Sequence, residues 1–564
     1  MESKSKNRIV WVVVAIFLFF AYSYLFFFSV ESQGIFNSPD EMANAYFIDV
    51  YNDVGSLRVE DPLVGVADGR VHPRSVVTQD GALVPGSFTG MIVLYSILDF
   101  FGDLRIFIIF TAIFSVLAVF AWRRIISEMF NSSAGDFAAL VLAITPAWWY
   151  WTERGMYHNV FFTALLIFSG YFMFIHPVYE FLRRTIHASR FYSLIDPLLA
   201  GVMLGFAWWV RTSEIFWTSI VAVLLIVVFR KFLRTKWIII FFIGAIIAFL
   251  PALLINYQTY GSIFRIGYTT AVNTGTDITS LLQATNTKES LNIIIDYSKE
   301  TLRTVRNFLL PFGFHPRAVL INFINYFILV PSWISLLFIT ALAWLFTKWW
   351  KGKIEKDEGM LFLLFIGVSI WLVSVYGSWV IHDNPNPEAM TVGISYSRYW
   401  LPMFVLASGI AGLGLAAFLK FLRPTIYAIP YFIIGVLAIL SFHTVFLTTG
   451  DGIVDIGNTL GEYSHIKKDV LQIVPKNGVI VVDRGDKVFF PDRRVIRDFR
   501  EDENLNILRA LSLRVPLYYY DVTIKEDDLN FQNRERLYPF GLKLEHIETY
   551  TDTSLYKFTS TPRF

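Results

Sequence analysis

The chain has 564 residues, of which 55% are hydrophobic and 17% are charged, and its mean hydropathy is +0.51. This composition is far more apolar than that of a soluble domain and predicts a multi-pass membrane protein. The net charge of +2 and the dispersal of basic residues into short clusters argue against nucleic-acid binding. Because the chain has no cysteine, disulfides, thiol catalysis and cysteine-ligated metals are excluded as well.

The first apolar segment, residues 9–30, is long enough to cross the roughly 30 Å hydrocarbon layer as one uninterrupted helix. Lys4, Lys6 and Arg8 precede it, so the positive-inside rule predicts a cytoplasmic amino terminus. The segment lacks a small-residue cleavage site and is followed by further apolar segments, which favours a retained anchor over a signal peptide. The residues that follow are therefore expected on the outer face.

Two adjacent carboxylates, Asp40 and Glu41, open the outer loop that covers residues 31–85. Carboxylates can deprotonate a hydroxyl or hold a cation. Ser38 and Pro39 before them are also typical of a helix start, with Ser38 as the N-cap and the two acids in the first turn. The two interpretations are compatible, because a capped helix end holds an acid in a fixed direction.

Between residues 86 and 121 we predict one full crossing plus an interfacial or re-entrant piece, because two crossings would place Arg123 and Arg124 outside. Further crossings are predicted at 136–151, 160–176, 194–210, 215–229, 237–255, 318–346, 360–380, 401–419 and 425–447. The turns that this topology places inside carry Lys and Arg clusters. Hydropathy therefore predicts about eleven crossings within residues 1–447, with the carboxyl end outside.

Residues 448–564 are predicted to form a small extracytoplasmic α/β domain. Residues 478–483 read as a buried strand, 500–513 as an amphipathic helix and 517–522 as a second strand. The last twenty residues have the alternating pattern of a hairpin. The domain contains neither a phosphate-binding glycine loop nor a nucleophile elbow.

Three arginines, Arg154, Arg211 and Arg398, lie at the predicted outer ends of apolar segments. Cations at membrane depth are costly unless an anion matches them. A phosphate at the membrane surface fits, because guanidinium groups bind phosphate oxygens bidentately. The alternative is snorkelling, or pairing with the nearby Glu153 and Glu214.

Histidines also fall in predicted outer segments: His72, His158, His315 and His382. No two of them have metal-ligand spacing. Asp40, Glu41 and a histidine could hold a divalent metal or act without one, and the sequence leaves both alternatives open.

Asp40-Glu41 after the first crossing, the stretches 146–154 and 201–211, and Arg398-Tyr399-Trp400-Leu401-Pro402 together resemble the GT-C glycosyltransferases. The likeness is to the family 39/83-like branch that includes protein O-mannosyltransferases and lipid A aminoarabinose transferases. The resemblance implies an α-helical polytopic protein of the plasma membrane. It also implies transfer of a sugar, with inversion, from a polyprenyl-phosphate donor to a hydroxyl of a glycan, lipid or protein acceptor.

By this resemblance Asp40 is the general base, and Glu41 positions the acceptor or shapes the base. Arg154, Arg211 and Arg398 are implied to hold the lipid phosphate. Relatives commonly have a Lys-Pro or Glu-Lys element at the end of the first outer loop, whereas residues 78–85 here have no lysine. His72 or Arg74 is expected to take its place, and the predicted substrate-binding set also includes Asp80, His158 and Tyr399.

Two other classes of protein remain as alternatives. A transporter or lipid flippase would also carry charged groups along a substrate path, but the predicted crossings are poor in ionisable residues and no inverted repeat is evident. A non-catalytic membrane scaffold would use the outer domain to bind a partner.

Overall fold

The computed structural model describes residues 2–29, 34–98, 105–186, 190–229, 233–268, 310–381, 389–423, 427–497 and 502–560. His382 lies outside the described residues. The helices up to residue 446 are α1 (Glu2–Ala21), α2 (Tyr24–Phe28), α3 (Pro39–Val54), α4 (Pro62–Val66), α5 (Gly90–Leu98), α6 (Arg105–Met129), α7 (Ser132–Ile144), α8 (Pro146–Glu153), α9 (His158–Ile175), α10 (Pro177–Ile186), α11 (Ile195–Val210), α12 (Ile215–Phe229), α13 (Thr235–Tyr260), α14 (Pro316–Phe323), α15 (Ser332–Trp350), α16 (Lys356–Gly377), α17 (Tyr396–Tyr399), α18 (Leu401–Phe421) and α19 (Ile429–Phe446).

Within the described ranges, nine helices are long and apolar enough to cross a membrane. Three shorter apolar helices accompany them: Ile9–Ala21, Ser132–Ile144 and Pro316–Leu329. These three lie where the sequence predicts longer crossings that the structure divides. The predicted polytopic helical architecture is confirmed.

The first apolar segment is not one uninterrupted helix, so that prediction was wrong. α1 ends at Ala21, and α2 begins at Tyr24. The buried Glu153 carboxylate accepts hydrogen bonds from the amides of Tyr24 (3.1 Å) and Leu25 (3.0 Å). In a continuous helix these amides would bond to carbonyls four residues earlier. The helix is therefore interrupted by an acid from a distant part of the chain.

Two more predicted crossings are divided beside prolines. α7 ends before Pro146, and Thr145 has the extended conformation (ψ 120°) that the residue preceding a proline prefers. The segment 318–346 contains a π-helical turn, Ile324–Leu329, and α15 begins directly after Pro331. Proline has no amide hydrogen to continue a helix, so both breaks follow from the chain's own residues.

The predicted full crossing plus short piece between residues 86 and 121 falls on α5 and α6, and residues 99–104 lie outside the described residues. The described part of α5 has nine residues, which span about 14 Å at 1.5 Å per residue. That length is well short of the roughly 30 Å hydrocarbon layer. α6 contains the candidate span Ile109–Met129.

The glycines of the 201–211 stretch pack α11 against α13. A Cβ at Gly201 would collide with the carbonyl oxygen of Phe241, and one at Gly205 with that of Ala245. Small residues allow helix backbones to approach closely within a membrane. This part of the sequence pattern therefore has a packing role.

The loop between α2 and α5, called here the first loop, folds into α3, α4 and a small antiparallel sheet. Its strands are β1 (Val59–Glu60), β2 (Val76–Gln79) and β3 (Ala82–Pro85), in the order β1-β3-β2. Pro39 is the first residue of α3, and the Ser38 side chain accepts a hydrogen bond from the Asp40 amide at 3.1 Å. The predicted helix start is confirmed.

The carboxyl-terminal region is a sheet with helices. Its elements are α20 (Ile453–Ile473), β4 (Val479–Val482), α21 (Asp486–Phe489), β5 (Arg494–Arg497), α22 (Asp502–Ser512), β6 (Leu517–Val522), α23 (Glu526–Phe531), β7 (Leu542–Tyr550) and β8 (Thr553–Ser560). The strand order is β5-β4-β6-β8-β7, with β4 parallel to β5 and β6 and the other pairs antiparallel. The predicted strands, helix and hairpin are all present.

The first loop and the carboxyl-terminal region share one hydrophobic core. Leu63, Ala67 and Val71 of the first loop pack with Val479 of β4 and Leu505 of α22. Since these side chains are all buried, the first loop and the carboxyl-terminal region pack directly against each other.

Candidate active site

Asp40 is the second residue of α3, and partners lie at both of its carboxylate oxygens. Oδ1 accepts a hydrogen bond from the Ser75 hydroxyl. Oδ2 lies 3.5 Å from Nη1 of Arg398. The Asp40 side chain keeps 32% of its exposure, against 9% for that of Arg398. Asp40 is therefore a fixed carboxylate that a small hydroxyl compound could still reach.

Glu41 has a different environment from its neighbour. Its side chain is completely buried, and it receives Nε of Arg154 at 2.8 Å together with a second bond from Nη2. Arg154 also donates through Nη1 to the Tyr150 hydroxyl at 3.3 Å. Arg154 pairs with Glu41 rather than with Glu153, which caps α2. This buried pair ties the start of α3 to the end of α8.

Arg398 lies among aromatic rings at the end of the short helix α17. Its guanidinium carbon is 4.2 Å from the ring centroid of Tyr157, 5.3 Å from that of Trp151 and 5.2 Å from that of Tyr399. Cations are attracted to the faces of aromatic rings. The rings hold Arg398 beside Asp40.

Arg211 approaches the same tyrosine from another direction. Its guanidinium carbon is 5.1 Å from the Tyr399 ring centroid. Nη2 donates to Glu214 at 2.8 Å and to the Tyr376 hydroxyl at 3.0 Å. The Tyr376 and Tyr399 rings stack with centroids 4.2 Å apart. Arg211 and Arg398 therefore flank one tyrosine. Arg211 is also paired with Glu214, as the alternative interpretation of the sequence predicted.

The residues described so far around Asp40 are called here the Asp40 cluster: Asp40, Ser75, Tyr157, Arg211, Tyr376, Arg398 and Tyr399. His158, the first residue of α9, is buried beside this cluster. Its Nε2 is 3.1 Å from the carbonyl oxygen of Phe88, and the two rings meet edge to face. In the part of the chain that the structure describes, no three His, Asp or Glu side chains lie together as a potential metal site.

The remaining predicted site residues bond to other groups. The His72 ring lies 2.8 Å from the Pro73 carbonyl oxygen, and burial lowers the pKa of His72. Arg74 pairs with Asp486. Asp80 is exposed in the turn between β2 and β3 and accepts a bond from Gln79. The contacts of His72 and Arg74 thus give no support to a role in place of the missing lysine.

Three residues of the cluster were missed from the sequence. Ser75, Tyr157 and Tyr376 were not singled out. Ser75 has a φ of +63°, a conformation that is uncommon for residues other than glycine and that no local pattern predicted. Tyr157 lies three residues after Arg154, so its nearness to that arginine in the sequence was the available signal. Tyr376 had none.

An apolar groove of about 650 Å³ runs between α12 and α16. Its lining includes Trp217, Leu224, Trp371 and, at the start of α16, Lys356. Trp217 donates its indole N–H to Glu214 at 2.5 Å. The groove therefore begins next to the partner of Arg211.

No protein-family model and no curated protein sequence matches the chain. Among solved structures, ArnT from Cupriavidus metallidurans bound to undecaprenyl phosphate aligns over 98% of each chain, with a TM-score of 0.51 and 11% identity. The oligosaccharyltransferase AglB from Archaeoglobus fulgidus, in complex with an inhibitory peptide and a dolichol-phosphate, aligns with a TM-score of 0.52 and 12% identity. That alignment covers 98% of this chain and 74% of AglB. The resemblance is confirmed at the level of the fold, and the chain has the GT-C fold of these polytopic membrane proteins.

Proposed function

We propose that this protein is a membrane glycosyltransferase that moves a sugar from a polyprenyl-phosphate-linked donor to an acceptor hydroxyl, with Asp40 as the general base. The observation that carries the proposal is the convergence around Asp40. A partly exposed carboxylate lies 3.5 Å from Arg398, and Arg398 and Arg211 flank the Tyr399 ring. The positive-inside rule supports placing this end of the bundle on the extracytoplasmic face.

In the proposed reaction the acceptor oxygen attacks the anomeric carbon as its bond to the phosphate oxygen breaks. The acceptor proton passes to Asp40, since a positioned carboxylate can act as a general base. A single displacement of this kind inverts the anomeric configuration. Ser75 and Arg398 hold the two carboxylate oxygens in a fixed direction.

The departing phosphate builds negative charge, which fixed cations stabilise. We assign this role to Arg398 and Arg211, because both approach Tyr399 from the cluster that contains Asp40. Arg154 has a different role in the proposal. Its bonds to Glu41 and Tyr150 make it a support for α3.

The class of donor is supported by two observations. The apolar groove between α12 and α16 begins at Trp217, which bonds to the Glu214 partner of Arg211, so an isoprenoid chain in the groove would bring its phosphate toward Arg211. The fold neighbours were solved with undecaprenyl phosphate and with dolichol-phosphate. A glycan, lipid or protein acceptor fits the proposal equally.

Asp40→Asn tests the assigned base. In the purified full-length protein we expect turnover of polyprenyl-phosphate sugars to fall by about 10²-fold or more, with binding of undecaprenyl phosphate retained. Asp53→Asn is the matched control, because Asp53 is an exposed aspartate on the same helix. Full transfer by Asp40→Asn would remove Asp40 as the base, whereas transport or scaffolding would survive the substitution.

A further inference from the structure

The short helix α21 of the carboxyl-terminal region contacts both chain segments that hold Asp40. One segment contains Ser38, whose side chain accepts the Asp40 amide hydrogen. The other contains Ser75, whose hydroxyl donates to the Asp40 carboxylate. Asp486 and Lys487, the first two residues of α21, bond to the residues that directly precede these two serines.

Asp486 holds the segment before Ser75. Its side chain has no exposure, and its Oδ2 accepts the Arg74 amide hydrogen at 2.7 Å. The Arg74 guanidinium adds bonds to the same carboxylate at 2.6 and 3.1 Å. The backbone and side chain of Arg74 are thus both fixed, immediately before Ser75, which has a positive φ and donates its hydroxyl to Asp40.

Lys487 holds the segment before Ser38. Its ammonium donates to the Asn37 carbonyl oxygen at 2.5 Å and lies 3.3 Å from the Asn37 side-chain oxygen. The Tyr463 ring covers it, with the centroid 5.0 Å from Nζ. Burial, with the nearby charges of Arg74 and Arg154, lowers the pKa of Lys487 to about 8.

We propose that the carboxyl-terminal region positions the Asp40 carboxylate, with Asp486 and Lys487 as positioning residues that act through Ser75 and Ser38. This inference rests on the proposed function, since it assigns Asp40 the role of base. It gives the carboxyl-terminal region a part in the reaction at a site whose other groups come from the helical bundle and the first loop.

Another ion pair provides a matched control. Arg494 of β5 bonds to Asp61 of the first loop at 2.6 Å, so it also joins the two parts of the chain. Neither Arg494 nor Asp61 neighbours Ser38 or Ser75 in sequence. Arg494→Gln therefore weakens the same interface without releasing the bonds to Asp40.

The test compares sugar transfer by full-length Asp486→Asn, Arg494→Gln, Ser75→Ala and the double variant Asp486→Asn/Ser75→Ala. We expect Asp486→Asn to lower kcat about 10- to 100-fold with little change in KM, because a small misplacement of a reacting group has effects of this size. Arg494→Gln should stay within about twofold of the parent. In the Ser75→Ala background, Asp486→Asn should cost much less, since coupled residues are not additive.

Equal loss of kcat in Asp486→Asn and Arg494→Gln would overturn the proposal. It would also be overturned if the loss of kcat in the double variant equalled the product of the losses in Asp486→Asn and Ser75→Ala. Hydrogen–deuterium exchange gives a readout that needs no turnover. Asp486→Asn should raise exchange in residues 73–77, and Lys487→Met in residues 36–42, whereas Arg494→Gln should raise neither.

The exchange measurement separates the two proposals. If the parent protein transfers no sugar from any polyprenyl-phosphate donor, the proposed function fails. Hydrogen–deuterium exchange then still tests whether Asp486 and Lys487 hold the segments next to Asp40. Unchanged exchange in both Asp486→Asn and Lys487→Met would overturn the positioning. If Asp486→Asn does not fold, Lys487→Met is compared with Arg494→Gln in both the kinetic and the exchange measurements.

Discussion

Asp40 and Glu41 point to different partners because successive side chains on a helix are turned by about 100°. Asp40 reaches Ser75 and Arg398 and stays partly exposed, whereas Glu41 is buried against Arg154. The sequence singled out both carboxylates, but it did not show that Asp40 and Glu41 have different roles. The division follows from the position of each residue around α3, which fixes one carboxylate at the site and the other in the protein interior.

Glu41→Gln should destabilise the protein. The substitution leaves the buried Arg154 guanidinium without its counter-charge, and breaking a buried pair in this way costs about 3–5 kcal/mol. Thermal unfolding in detergent should show a clear fall in Tm. Asp40→Asn is the control, and we expect a change of less than about 1 kcal/mol because its ion pair is longer and partly exposed. Equal Tm values for Glu41→Gln and the parent would contradict the structural role of Glu41.

Lys487 should react with amine-acylating reagents at lower pH than an ordinary lysine. Only the neutral amine is nucleophilic, so labelling rises as pH passes through the pKa of the group. Burial and the charges of Arg74 and Arg154 place that pKa at about 8, against about 10.4 for an unperturbed lysine. Mass spectrometry of labelled peptides measures the midpoint, with the exposed Lys468 as the reference for reagent access. A midpoint above 10 would show that Lys487 is not held as described.

At the level of the elements, the sequence predicted a helix or strand boundary correctly where neighbouring residues determine that boundary. Ser38 and Pro39 predicted the start of α3, and the apolar runs predicted β4 and β6. The break between α1 and α2 had no such signal, because Glu153 reaches Tyr24 from 129 residues away. Interruptions of this kind depend on tertiary contacts that periodicity does not report.

Gly201→Ala should weaken the packing of α11 on α13. The added Cβ would collide with the Phe241 carbonyl oxygen, and overpacking of this kind typically costs about 1–3 kcal/mol. Gly435→Ala in α19 is the control, because no atom beyond its chain neighbours and its own helix backbone lies within 4 Å of the added Cβ, and alanine favours a helix by up to about 1 kcal/mol. Thermal unfolding should therefore separate the two variants, and a stabilised Gly201→Ala would contradict the close contact between these helices.

At the scale of the whole molecule, the sequence singled out several residues that the fold brings together around Asp40, and it missed others. The membrane cost of a cation drew attention to Arg154, Arg211 and Arg398, and the fold brings all three to the tyrosines around Asp40. Ser75 and Tyr376 were not predicted, because a serine in a loop and a tyrosine at a helix end are common in membrane proteins. The sequence also did not predict that the carboxyl-terminal region positions Asp40, because this role depends on the core shared with the first loop.

An experimental structure of the full-length protein with undecaprenyl phosphate bound would test the central claim most directly. The account predicts a phosphate in contact with the guanidinium groups of Arg398 and Arg211 around Tyr399, with Arg154 still bonded to Glu41. It also predicts the isoprenoid chain in the groove between α12 and α16. A phosphate bound at the Lys356 end of that groove, with the Asp40 cluster unoccupied, would contradict sugar transfer at this site.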